Sequence, residues 1–138
     1  MKNLKHLFFL LAAICVVSLS SCKDDDDDVS PNVSLLTNGE WTGSAVFING
    51  DDLTAEFEAE YGIDLTRYTS KFERDGKYVD KYAGTTMVEG AWEFENGERI
   101  IIFDKGTSTE YTVVISKLDE DELFYMQGAA EFRFIKKK

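Results

Sequence analysis

A chain of 138 residues has room for one domain, and a content of 43% hydrophobic and 30% charged residues is that of a globular protein rather than a disordered one. The formal charge of -11 argues against nucleic acid and anionic membrane surfaces as partners, because both demand a basic patch. The one basic cluster, Lys136, Lys137 and Lys138, stands at the chain end, where three lysines read as a solvated tail.

The chain opens with Lys2 and Lys5 ahead of an apolar run over residues 7–19. The run is short for a bilayer span and has the layout of a secretory signal: basic start, apolar middle, small residues before a cut. Then comes Leu19-Ser20-Ser21-Cys22, followed by Lys23 and five aspartates, Asp24, Asp25, Asp26, Asp27 and Asp28. The first four residues resemble the lipobox of bacterial lipoproteins. That resemblance implies cleavage before Cys22, a diacylglycerol group on its thiol, and a fatty acid such as palmitate on the new amino terminus. Several chains on one residue anchor firmly where one binds only marginally. The aspartates repel one another and hold the tail extended. With Lys23 they resemble the acidic export signal of surface lipoproteins of the Bacteroidota, which implies an outer-membrane lipoprotein facing the cell exterior. The expected division is a signal peptide over 1–21, a lipidated acidic tether over 22–33 that closes near Pro31 and Asn32, and a folded domain over 34–138.

Removal of the leader changes the chemistry available. His6 and Cys15 leave with it, so the remaining chain has no histidine, and its one cysteine is the anchor. Histidine general bases, cysteine nucleophiles, disulfides and His/Cys zinc sites are thereby excluded. Loss of Lys2 and Lys5 takes the formal charge from -11 to -13. No residue pattern calls for a cofactor or a metal.

From Glu40 onward the sequence alternates. "EWTGSAVFI" puts Trp41, Gly43, Ala45 and Phe47 on one face. "DDLTAEFEAEYG" breaks the alternation: Leu53, Phe57 and Tyr61 are four apart, which predicts a short amphipathic helix capped by Asp51 or Asp52 and ended by Gly62. Period-2 runs then flank Asp75-Gly76 and Asn96-Gly97, dipeptides of tight hairpins. Tyr68 and Phe72, Tyr78 and Tyr82, Trp92 and Phe94, Tyr111 with Val113 and Ile115, and Phe132 with Phe134 share faces in turn. The predicted strands are 40–48, 67–74, 77–83, 86–95, 98–103, 108–118, 122–127 and 130–136. Short turns between eight such strands favour an all-β, up-and-down antiparallel barrel with one short helix after the first strand.

"LLTNGEWTGSAVF", with Gly39 and Trp41 at the first strand, resembles the opening of the small lipocalin-like domain of many Bacteroidota lipoproteins. "KFERDGKY", "GAWEFENG" and "YTVVISKLDEDELFY" extend the resemblance over roughly residues 35–135. It implies a lipocalin-like eight-stranded barrel and a ligand-binding role, with no ligand specified.

Strand parity aims Phe47, Tyr68, Phe72, Tyr78, Trp92, Phe94, Tyr111 and Phe132 inward, as candidate ligand-binding residues for a small apolar molecule. Trp41 is placed to plug one end, and the guest is expected to enter at the other, beside the helix. The same rings serve equally to fill a core, since an eight-stranded interior is either just filled or holds one small ligand. The alternative is a protein-interaction or inhibitor module that uses the outer wall and loops, its acidic surface suited to a basic protein partner. An enzyme is not expected. Glu56, Glu58, Glu93 and Glu95 fall on outward or polar faces, where carboxylates meet water.

Overall fold

The computed structural model describes residues 29–138. The signal segment, Cys22, Lys23 and the aspartates 24–28 lie outside the described residues.

The first described element was not legible in the sequence. Pro31 and Asn32, expected to close the tether, open a helix, α1 (Pro31–Thr37). Proline suits a first helical position, where its missing N–H is not needed. Val33 and Leu36 turn into the core, and Leu36 is fully buried.

The sheet follows: β1 (Glu40–Ile48), a two-residue β2 (Asp51–Asp52), β3 (Tyr68–Phe72), β4 (Lys77–Tyr82), β5 (Thr85–Glu95), β6 (Ile100–Phe103), β7 (Tyr111–Leu118), β8 (Glu122–Gln127) and β9 (Ala130–Lys136). Every neighbouring pair is antiparallel, and β1 also pairs with β9, from Trp41↔Lys136 to Ile48↔Ala130. That pairing closes β1 and β3–β9 into an eight-stranded barrel. The stub β2 folds back on β1 through Asn49-Gly50, both at positive φ (52° and 91°), a two-residue hairpin missed in the sequence reading.

The helix expected after β1 is α2 (Thr54–Tyr61). The N-cap position falls on Leu53, with no side-chain cap, rather than on Asp51 or Asp52 as expected; Asp52, one residue earlier, accepts from the Thr54 N–H at 3.0 Å, and Gly62, at φ 64°, ends the helix by donating to the Glu58 carbonyl. Glu58 in turn accepts the Leu65 N–H at 2.8 Å, tying α2 to the 3₁₀ turn Leu65–Arg67. That turn crosses β1 so closely that a Cβ at Gly43 would lie 2.5 Å from the Leu65 carbonyl oxygen.

The two ends of the barrel differ. At one end α1 lies over the start of β1. Trp41 is fully buried there, and its Nε1 donates to the Leu36 carbonyl at 2.9 Å. Lys136 donates to the Leu35 carbonyl at 3.1 Å and to that of Asn38, and its ammonium sits 3.7 Å from the Trp41 ring centroid. Lys136 is therefore not part of a solvated tail. It satisfies carbonyls at the C-terminal end of a helix, where a cation is favoured. The other end carries α2, the 3₁₀ turn and the 104–110 loop.

Candidate functional site

Three of the eight residues aimed inward by parity meet at the α2 end. Tyr68, Tyr111 and Phe132 line a half-open cavity of about 220 Å³, together with Gly43, Ala45, Phe57, Ile63, Leu65 and Tyr125. Its position opposite Trp41 and beside α2 is the one expected for a ligand entrance. The mouth is built by α2: no residue of that helix is fully buried, and Phe57 leans edge-on against Phe132 at 5.8 Å. Gly43 supplies room, because a side chain there would collide with Leu65.

The other five lie elsewhere. Phe72 and Tyr78 are 1% exposed and Trp92 is 7% exposed, all in the packed half of the interior. Phe72 meets Trp92 edge-on at 5.7 Å, and Tyr78 meets Phe103 at 4.9 Å. Phe94 packs on Trp92 at 5.2 Å, toward the α1 end. Phe72, Tyr78 and Trp92 belong to the buried core, and Phe94 is half-buried against it. Phe47 does not point inward at all. A bulge between Gly43 and Ala45 adds one residue to β1, so the parity flips, Val46 faces the core, and Phe47 faces outward opposite Glu131. There it stacks under the Arg133 guanidinium, 3.7 Å from its ring centroid, and lines an outer groove of about 300 Å³.

The structure adds a residue that sequence reasoning passed over. Asp80 is 7% exposed, inside the barrel. Tyr68 Oη donates to its Oδ2 and Ser70 Oγ to its Oδ1, both at 2.6 Å. Burial raises the Asp80 pKa above its ordinary value, and the two hydroxyl hydrogen bonds oppose the rise. Its charge reaches the phenols around it: Tyr68, Tyr111 and Tyr125 are all shifted upward, chiefly by burial and then by neighbouring groups that include Asp80. Tyr78 is pushed up to about 12, first by burial and then by Asp104, to which its hydroxyl donates at 3.3 Å. The signal was present in the sequence, because Asp80 shares the parity of Tyr78 in "KYVDKY".

Two of the carboxylates weighed for catalysis are engaged in other contacts. Glu93 pairs with Lys105 on the surface, and Glu58 is spent on the Leu65 N–H. Among the described residues no group of three His, Cys, Asp or Glu side chains is placed to hold a metal. What the site offers is an apolar, ring-lined space with hydroxyls at its wall and one carboxylate behind them.

No protein-family profile matches the chain, and no curated protein does. Solved structures do. A DUF4847 family protein from Bacteroides vulgatus superposes with a TM-score of 0.54 at 14% identity, over 76% of this chain and 98% of that one. A lipocalin-like protein from Bacteroides uniformis superposes with a TM-score of 0.53 at 13% identity, over 72% and 96% of the two chains. Likeness at this level of identity speaks to the fold. With β1 and β9 paired and eight antiparallel strands in sequence order, the domain has a lipocalin-like barrel fold, open at the α2 end.

Proposed function

We propose that the chain is a surface-anchored outer-membrane lipoprotein whose barrel is a non-catalytic module that binds a small apolar ligand. The observation that carries the binding role is the cavity between Phe57, Phe132 and the tyrosines at the end opposite Trp41. Concave, ring-lined spaces with a few polar groups at the wall are the usual form of small-molecule sites. Lipocalin-like folds are commonly built this way, and that analogy supports the reading by association only. The anchor rests on Leu19-Ser20-Ser21-Cys22, and surface display rests on Lys23 and the aspartates 24–28.

The test uses a neutral apolar dye, N-phenyl-1-naphthylamine, whose fluorescence rises on leaving water. The full chain is expected to enhance it. Phe57→Ala, which removes the ring at the mouth, is expected to weaken the enhancement severalfold while the protein still melts cooperatively. An unmutated chain that binds no dye would overturn the reading and turn attention to the outer wall, where Arg133 is sandwiched between Phe47 and Phe124. Enhancement that is unchanged in Phe57→Ala would remove the cavity as the binding place.

A further inference from the structure

The buried carboxylate bears on which ligand fits. Asp80 has no basic counterpart: among the described residues, no lysine or arginine pairs with it, and its hydrogen bonds come from the Tyr68 and Ser70 hydroxyls. Each carboxylate oxygen accepts one of those protons at 2.6 Å, the pattern of an ionised group. A buried charge without a partner is costly and calls for compensation from its surroundings. Tyr68 connects it to the cavity. That hydroxyl has a single proton, which is committed to Asp80, so the oxygen can only accept from the cavity side. The Tyr78 proton likewise points away, to Asp104. Around this acceptor stand the faces and edges of Phe57, Tyr111, Tyr125 and Phe132, rings whose π-clouds attract cations. The one basic residue at the rim, Arg133, is occupied by Glu131 at 2.7 Å and by two rings on the outer wall.

We propose that the cavity selects an organic cation: an ammonium group held among the rings against Tyr68, above Asp80, with its apolar body toward the mouth at Phe57. This inference rests on the ligand-binding reading above and adds the sign of the ligand's charge. A carboxylate guest, such as a fatty acid, would meet the field of Asp80 with no donor from Tyr68.

Three probes with the same phenyl ring separate the charge from the cavity: benzylammonium, benzyl alcohol and phenylacetate, titrated into the full chain by calorimetry. Benzylammonium is expected to bind at least about tenfold more tightly than benzyl alcohol, and phenylacetate most weakly. Asp80→Asn, close in shape to the native side chain, is expected to remove the preference for the cation while leaving benzyl alcohol affinity unchanged. Tyr68→Phe, a second variant that keeps the ring, is expected to weaken the cation more than the alcohol. Equal affinity for cation and alcohol, or tighter binding of phenylacetate, would overturn the charge assignment and leave the cavity as a neutral site. Failure of all three probes to bind would overturn the ligand-binding reading as well.

Discussion

At the scale of single residues, Asp80 makes a testable demand on stability. Its pKa is raised in the folded protein, first by burial, so the folded state holds that proton more tightly than the unfolded chain does. No penalty applies below the ordinary value of 3.8. As pH rises through that value and then through the folded pKa, stability attributable to Asp80 is lost. Asp80→Asn should therefore melt at a higher temperature than the unmutated chain, by a margin that grows from about pH 4 upward. A margin that is constant with pH would assign the effect to packing. Tyr78 makes a second demand. As a packed ring 1% exposed, its truncation to alanine should cost on the order of 3–5 kcal/mol in a urea titration. A small loss would mean that the interior is looser there than its ring contacts show. Which aromatic residues belong to core and which to cavity was not readable from alternation, since parity gives the face of a strand and not the height along it. Phe72 and Tyr68 share β3 and a face, yet one is sealed and the other borders the opening.

At the scale of elements, the strands were legible because alternation and turn dipeptides are local. β8 and β9 fall on their expected bounds, and the helix from Thr54 ends at Gly62 as its sequence implies. What escaped is non-local. The bulge that turns Phe47 outward depends on how β1 meets both β3 and β9. The helix α1 owes its place to Trp41 and Lys136, the latter about a hundred positions away along the chain. Trp41→Phe should leave the Leu36 carbonyl buried without its donor, at a cost of about 1–3 kcal/mol, read in the same denaturant titration. No measurable cost would mean that α1 is held by Leu36 packing alone. Gly90 tests the pairing of β5 with the 104–110 loop. A Cβ there would fall 2.1 Å from Asp104 Oδ1, an oxygen that already holds the Ala91 N–H at 2.9 Å. Gly90→Ala should destabilise the protein by about 1–3 kcal/mol through overpacking.

At the scale of the whole molecule, the proposed anchor and export signal predict behaviour in cells. Cys22→Ser should release a soluble protein or leave an uncleaved precursor, seen by fractionating membranes, and normal partition would refute lipidation at that residue. Replacing the aspartates 24–28 by serine should keep the lipid but lose digestion by protease added to intact cells; unchanged digestion would reduce the run to a spacer. The barrel also has a consequence in time. Its seam joins the first strand to the last, Trp41 to Lys136. Ring closure is thus among the most non-local contacts in the chain, and such contacts form slowly. Until β9 exists, β1 and β8 are both bare edges, which invite pairing with other chains. A product cut short before Ala130 would not be a smaller barrel. It would be an open sheet with two adhesive borders, and it should be found in aggregates rather than in solution.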